Sequence, residues 1–141
     1  MTRYYAVIDT NVLVSSILNL NSIPGKVIDL CLKGVIVPLY DNRIVKEYRE
    51  VLNRPKFCFS KEDVNNIIDS IIKYGVFIKA NKSNINLIDP KDIMFLEVLI
   101  ESKKFYDSYL ITGNIKHFPN DHDIIMPGDM IDMIVDSSEE N

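Results

Sequence analysis

The sequence predicts a single α/β domain with a mainly parallel central sheet that is flanked by helices on both faces. Three observations support this fold class. Short apolar runs of strand length alternate along the chain with segments of helical period. The 141 residues suffice for one compact domain, and no change in composition marks a linker. We therefore expect one domain over residues 1–135, followed by an acidic, flexible tail over residues 136–141.

Five apolar runs predict the strands of this sheet. Asp9 follows the first run at once, and Gly113 stops the fourth. Proline cannot donate a backbone hydrogen bond, so Pro38 predicts that the second strand lies at a sheet edge or ends there. The predicted strands are, in chain order, Tyr4–Ile8, Val35–Tyr40, Val76–Ile78, Tyr109–Thr112 and Ile124–Met126.

Helical spacing of apolar residues, bounded by capping residues, predicts the segments between the strands. An apolar run that restarts at Val12 leads into the first helix. Asp41 and Ser60 are suited to begin two later helices, and Gly34 and Gly75 to end two. The other predicted helices cover 23–33, 42 to about 52, 61–74, 89 to about 103, and 127–135.

Composition and charge exclude several classes of protein. The net charge of −4 argues against a protein that holds nucleic acid by bulk electrostatics, although phosphates could still be reached through bound divalent cations. No apolar run approaches the roughly 20 residues of a membrane span, and no secretory signal is visible. The two cysteines lack metal-ligand spacing, and Cys31 fits the core. We expect a cytoplasmic protein without a membrane partner.

Four polar side chains follow strands or begin helices at what a parallel sheet would make one edge. Asp9 ends the first strand, and Glu47 lies in the helix after the second. Asp92 lies in the first turn of the helix opened by Asp89, and Asn114 follows the fourth strand. Ligands of open α/β sheets gather at the carboxyl ends of the strands. Three carboxylates and an amide oxygen suit hard cations such as Mg²⁺ or Mn²⁺.

Each of these residues also has a purely structural interpretation. Glu47 has charged neighbours and could be an ordinary solvated helix residue. Asp92 could be a first-turn acid favoured by the helix dipole, and Asn114 could adopt a left-handed turn. Asp9 fits a structural role least well, because it directly continues a buried strand.

Four segments of the chain resemble the motifs of PIN-domain ribonucleases, in the order and at the distances typical of that family. The similarity is strongest to the PIN proteins that act as toxins of toxin–antitoxin systems, the relatives of VapC. It spans nearly the whole chain. The segments are Val7–Val14 (VIDTNVLV), Asn42–Phe57 with its LNRPKF ending, Asp89–Asp92 with Phe95–Glu97, and Tyr109–Pro119.

The resemblance implies a role for particular residues. It assigns Asp9, Glu47 and Asp92 as metal ligands, and it places Asn114 where many relatives carry a fourth aspartate. The site would then hold three charges instead of four, which puts two-metal chemistry in doubt. The side chains of Thr10 and Asn11 would fix the Asp9 loop, and Thr112 would supply a hydroxyl group near the metal-bound water.

The resemblance also implies an activity and its partners. The activity is Mg²⁺- or Mn²⁺-dependent endonucleolytic cleavage of RNA, in which an activated water attacks the phosphodiester and leaves a 3′-hydroxyl and a 5′-phosphate. Arg54 is a candidate for guiding the RNA backbone. The implied partners are an antitoxin protein that covers the acidic pocket and a second copy of the chain in a homodimer. We interpret His117 and His122 as loop or surface residues rather than general bases.

Other functional classes fit the sequence less well. A PIN domain that binds RNA or protein without cutting remains open, because Asn114 replaces an acid. A receiver-type phosphoacceptor domain needs an aspartate that ends the third strand and a lysine that ends the fifth, and neither is present. A Gly-rich turn after the first strand is missing, as is a nucleophile elbow, so dinucleotide binding and serine-hydrolase chemistry are not supported.

Overall fold

The fold is a five-stranded, all-parallel sheet with the strand order β3-β2-β1-β4-β5. The computed structural model describes residues 2–139. The predicted α/β class and parallel sheet are confirmed. The strands are β1 (Tyr4–Ile8), β2 (Ile36–Tyr40), β3 (Val76–Phe77), β4 (Ser108–Ile111) and β5 (Ile124–Ile125).

Helices occupy the connections, close to their predicted places. Asp41 caps α3 (Asn42–Leu52) by accepting a hydrogen bond from the backbone N–H of Ile44 at 3.0 Å, and Ser60 caps α4 (Lys61–Tyr74) by accepting one from the backbone N–H of Asp63 at 3.0 Å. A 3₁₀ turn, Pro90–Asp92, precedes α5. The helices are α1 (Thr10–Leu18), α2 (Ile23–Leu32), α3 (Asn42–Leu52), α4 (Lys61–Tyr74), α5 (Ile93–Ser102) and α6 (Pro127–Glu139).

Strand β1 lies at the centre of the molecule. Its last three residues, Ala6, Val7 and Ile8, are fully buried, and successive side chains of a strand point to opposite faces. Both faces of the sheet are therefore covered. Helix α5 packs against β1, β2 and β4, while α2 packs against β2 and three other helices. Because all pairs are parallel, the carboxyl ends of the strands lie along one edge.

Strand β2 is an interior strand, so Pro38 does not mark the edge of the sheet. The short β3 pairs only with the last two residues of β2, Leu39 and Tyr40. Strand β3 does not reach Pro38, so the missing N–H of this proline removes no hydrogen bond between β2 and β3. The sequence correctly indicated a missing donor but could not show that a two-residue strand covers the end of β2.

The closing helix α6 extends beyond its predicted end at Val135 and reaches Glu139. The first four residues of the predicted tail, 136–139, are therefore helical. Glu140 and Asn141, which complete the predicted tail, lie outside the described residues. Over residues 2–139, no helix combines the length and apolar character that crossing a bilayer requires.

Tyr48 connects α3 to the end of β1. Its side chain is fully buried, and its hydroxyl donates a hydrogen bond to the carbonyl oxygen of Ile8 at 2.5 Å. Glu47 precedes Tyr48 on α3, and Asp9 follows Ile8. One buried hydrogen bond therefore fixes the helix that carries Glu47 against the strand that ends in Asp9.

We expect Tyr48→Phe to lower the free energy of unfolding by about 1–3 kcal/mol, because a buried carbonyl loses its donor. Urea denaturation with an unchanged m-value measures this loss. Tyr40→Phe is the matched control. The Tyr40 hydroxyl donates a hydrogen bond at 3.1 Å to the carbonyl oxygen of Ile72, a partly exposed residue of α4, where water can replace the lost hydroxyl. Equal losses in the two variants would contradict the anchoring role of Tyr48.

Candidate metal centre

The turn between β1 and α1 positions the first candidate ligand. Strand β1 ends at Ile8 and helix α1 begins at Thr10, so Asp9 alone makes the connection. The Asp9 backbone N–H donates to Ile111 O at 2.9 Å, which extends the pairing of β1 with β4 by one residue. The side chain therefore starts from a rigid backbone at the carboxyl edge of the sheet.

Asp9 is 5% exposed, and neutral donors contact its carboxylate. Its Oδ2 accepts hydrogen bonds from the Thr112 hydroxyl at 2.7 Å and from the Asn11 amide at 3.1 Å. Burial raises the pKa of Asp9, and the charge of Asp92 raises it further, although the Thr112 hydrogen bond lowers it. In residues 2–139 no Lys, Arg or His side chain forms a salt bridge with it.

Glu47 faces Asp9 from α3. The Thr10 hydroxyl donates to Glu47 Oε2 at 2.5 Å, so the residue that follows Asp9 connects this turn to Glu47. Burial raises the pKa of Glu47, and the charges of Asp9 and Asp89 add to this, whereas the Thr10 hydrogen bond and Lys91 lower it. Asp9 and Glu47 are thus close enough to repel each other.

Asp92 completes the group of three acids at the end of the 3₁₀ turn. Burial raises the pKa of Asp92, and the charges of Asp89 and Glu47 raise it further. His117 Nδ1 lies 3.2 Å from Asp92 Oδ2, and this contact lowers the pKa of the carboxyl group. The electrostatic effects therefore connect all three predicted ligands, which come from three separate segments of the chain.

Asn114 lies beside this group, but its side chain does not join the hydrogen-bond network. Its backbone N–H donates to the Thr112 hydroxyl at 2.9 Å, and the neighbouring Gly113 N–H donates to Asn11 Oδ1 at 3.2 Å. Asn11 therefore fastens the loop after β4 to the loop after β1. The Asn114 side chain is exposed and has no hydrogen bond to any other described residue.

Two residues near the acids were not assigned to the site from the sequence. His117, interpreted as a loop residue, contacts Asp92, and Asp89, interpreted only as a helix opener, raises the pKa of both Glu47 and Asp92. The HFP phrase at 117–119 was the available signal for His117. No sequence signal distinguished Asp89 from an ordinary helix-capping residue. Its Oδ1 does act as a cap, because it accepts a hydrogen bond from the backbone N–H of Lys91.

The donor set of these acids suits a hard divalent cation. Their side chains offer carboxylate oxygens, and the negative charge of Asp9 and Glu47 has no salt-bridge partner among residues 2–139. The oxygens of Asp9, Glu47 and Asp92 are not all within 4.8 Å of one another. The three acids would therefore have to move closer together to share one metal ion. One oxygen of each acid is already held by a neighbour: Asp9 by Thr112, Glu47 by Thr10 and Asp92 by His117.

A second acidic group, formed by Asp121, His122 and Asp123, has ligand atoms within 4.8 Å of one another. It lies in the exposed turn before β5. Asp123 there forms a salt bridge with Lys103, and its N–H donates to Asp121 Oδ1 at 2.8 Å. The turn geometry and the lysine account for the proximity of these groups.

Arg54, the predicted RNA contact, lines a groove that also contains Glu47. The groove has a volume of about 400 Å³ and lies between α3 and the Pro90–Met94 segment. A larger cavity of about 660 Å³ lies between α1, α2 and α4, and it contains none of the predicted site residues.

The raised pKa of Asp9 predicts how stability depends on pH in metal-free protein. The folded state retains the Asp9 proton above the ordinary pKa of 3.8, so the free energy of unfolding falls as pH rises through the window above that value. We expect Asp9→Asn to stabilise the protein at pH 7 in EDTA by on the order of 1 kcal/mol. The gain should vanish below about pH 4, where both states bind the proton.

Urea denaturation at the two pH values measures this difference. Asp69→Asn on the exposed face of α4 is the control and should change stability by less than about 0.5 kcal/mol. A loss of stability in Asp9→Asn at pH 7 would mean that the protein already compensates this charge and that Asp9 has a structural role.

Comparisons with known proteins identify the family of this chain. A family model described as PIN domain matches residues 5–116, a range that includes Asp9, Glu47, Asp92 and Asn114. PIN domains are generally nucleases and generally use divalent metals. The chain is 34% identical over 112 residues to the uncharacterized protein MJ1680 of Methanocaldococcus jannaschii, which covers 77% of this chain and 69% of that protein. The chain belongs to the PIN domain family.

Proposed function

We propose that this protein is a Mg²⁺- or Mn²⁺-dependent endoribonuclease and the toxin of a toxin–antitoxin pair. One observation carries the proposal. Three acids from separate segments converge at the carboxyl edge of the sheet with raised pKa values, and neither Asp9 nor Glu47 forms a salt bridge with another described residue. Such a group is stabilised by a divalent cation, and PIN domains generally use one.

Asp9, Glu47 and Asp92 would hold the ion, which when bound supplies an activated water and stabilises charge on the scissile phosphate. Thr112 and Asn11 orient the Asp9 carboxylate, and Thr10 orients Glu47. The hydroxyl donors leave the acids negatively charged, in contrast to lysine or arginine partners, which would compete with the cation. The products would carry a 3′-hydroxyl and a 5′-phosphate.

His117 contacts Asp92 through its Nδ1, which lies 3.2 Å from Asp92 Oδ2. A neutral imidazole that donates from Nδ1 would fix the Asp92 carboxylate without neutralising it. Asn114 would lie beside the reacting phosphate as an uncharged group. We propose Arg54 as a contact to the RNA backbone, because it lines the groove next to Glu47.

The toxin role rests on the resemblance to toxins of the PIN family, as do the antitoxin and the homodimer. An antitoxin would be a small protein that covers the acidic pocket and excludes RNA from it. The competing function is a PIN domain that binds RNA or protein without cleavage. The uncharged and exposed Asn114 favours this alternative, since it leaves the ligand group one acid short of many relatives.

We expect the purified protein to cleave a mixed single-stranded RNA with Mn²⁺ or Mg²⁺, and EDTA and Asp9→Ala each to abolish cleavage. Removal of one ligand should lower the rate at least about 100-fold, because the catalytic metal is lost. Gel analysis of end-labelled RNA, followed by phosphatase treatment of the products, gives both the rate and the position of the phosphate.

Asp121→Ala is the matched control for Asp9→Ala, since it removes an acid from the exposed turn before β5. It should cleave at the wild-type rate. Activity that survives Asp9→Ala would contradict the site assignment and indicate a contaminating nuclease. RNA binding without cleavage in protein that binds Mn²⁺ would favour the non-catalytic PIN domain.

A further inference from the structure

Arg43 lies one helical turn before Glu47 on α3, and both side chains line the groove between α3 and the Pro90–Met94 segment. Residues four positions apart on a helix share a face, where an arginine and a glutamate can form an ion pair. Here Glu47 instead accepts a hydrogen bond from the Thr10 hydroxyl and forms no salt bridge with any residue of 2–139. The fold thus keeps a nearby cation away from a candidate metal ligand.

The guanidinium of Arg43 is directed to two other carboxylates. Its Nη1 donates a hydrogen bond to Glu97 Oε1 at 2.6 Å, and its Nε donates one to Asp41 Oδ2 at 2.9 Å. Both acids are buried. Asp41 is the N-cap of α3 itself, whereas Glu97 lies on α5. Glu97 is therefore the partner that draws Arg43 away from its own helix.

Glu97 is well prepared to hold a cation. Its second oxygen, Oε2, accepts a hydrogen bond from the backbone N–H of Ser83, in the segment between β3 and the Pro90–Asp92 turn. Burial raises the pKa of Glu97, but the hydrogen bonds from Arg43 and Ser83 outweigh this effect and lower the pKa below its ordinary value. Glu97 consequently carries a full negative charge at neutral pH, and both of its oxygens are fixed.

A guanidinium beside Glu47 would weaken metal binding. A positive group close to a carboxylate neutralises it and competes with a metal ion for the same oxygens, most strongly where water is partly excluded. The three acids of the candidate centre are held by hydroxyl, amide and imidazole groups, which leave their charge available. The contact between Arg43 and Glu97 preserves this condition at Glu47.

We propose that Glu97 is a positioning residue of the metal centre, which binds Arg43 and so prevents this cation from neutralising Glu47. Glu97 accepts its hydrogen bonds from Arg43 and Ser83, and it acts on the centre only through Arg43. The effect on metal binding rests on the proposed function. The direction in which Arg43 points does not depend on a metal ion, so the two can be tested separately.

The effect on the metal is measured by titration of the protein with Mn²⁺, using electron paramagnetic resonance of the free ion and no RNA. Glu97→Gln should weaken Mn²⁺ binding about 10-fold, because a neutral amide does not retain the guanidinium. Glu101→Gln is the matched control, since it removes the same charge one turn further along α5, where Glu101 pairs with Lys104. It should bind Mn²⁺ within about 2-fold of wild type.

A double variant distinguishes positioning from a purely structural role. Removing the cation as well, in Arg43→Gln/Glu97→Gln, should restore Mn²⁺ binding to within about 2-fold of wild type, because nothing then competes at Glu47. If the ion pair mattered only for packing α3 against α5, the double variant would bind Mn²⁺ no better than Glu97→Gln. Melting temperatures above the assay temperature verify that each variant is folded.

Glu97→Asp serves as a milder variant in case Glu97→Gln does not fold. It withdraws the carboxylate by one methylene group, which weakens its contact with Arg43. Mn²⁺ binding should fall about 3-fold, and adding Arg43→Gln should restore it. Unchanged Mn²⁺ binding in both Glu97 variants would contradict the proposal.

The orientation of Arg43 is tested without metal, by a crystal structure of Glu97→Gln grown in EDTA. We expect a salt bridge between Arg43 and Glu47. An Arg43 that stays on Asp41 without contact to Glu47 would overturn the positioning role.

The outcomes separate this proposal from the proposed function. RNA cleavage by the wild type, together with wild-type Mn²⁺ affinity in Glu97→Gln, would overturn the role of Glu97 and leave the nuclease intact. A wild-type protein that binds no Mn²⁺ would overturn the metal centre, and the contact of Arg43 in the EDTA crystals would then decide the role of Glu97 alone.

Discussion

The Asp9 carboxylate is buried at the end of the central strand, and the surrounding side chains do not neutralise it. A buried charge is costly unless hydrogen bonds or a counter-charge compensate it. Thr112 and Asn11 supply two hydrogen bonds, and the charge of Asp92 increases the cost. Thr10 and His117 fix Glu47 and Asp92 in the same way. The divalent cation that we propose for this site would supply the compensating positive charge.

The proposed cation would reconcile the acidic composition of the protein with RNA as its proposed substrate. The net charge of −4 gives no general attraction to RNA, but a bound divalent cation would reverse the sign of the centre. Lys46, Arg54 and Lys91, which form no salt bridge within residues 2–139, line one groove next to Glu47. The ion pair of the half-buried Arg43 with the buried Glu97 joins α3 to α5. The local arrangement of charged side chains around the site therefore affects RNA binding more than the net charge of the protein does.

The fold and the positions of the acids could be predicted because they follow from local patterns. Apolar runs mark the strands, and a parallel sheet brings their carboxyl ends to one edge, where Asp9, Glu47 and Asp92 interact. The partner of each acid could not be predicted. Thr10 bonds to Glu47, 37 positions away, and His117 to Asp92, 25 positions away, and such pairs depend on tertiary packing. The groove depends on the spacing of two helices, which no local pattern encodes.

The central claim is that a divalent cation binds where Asp9, Glu47 and Asp92 converge. Anomalous diffraction from crystals of this protein soaked in Mn²⁺ tests it most directly, because the signal gives both the metal and its position. We expect one peak within bonding distance of these three carboxylates, and its absence in crystals of Asp9→Asn. A peak confined to Asp121, His122 and Asp123, or no peak at saturating Mn²⁺, would contradict the account.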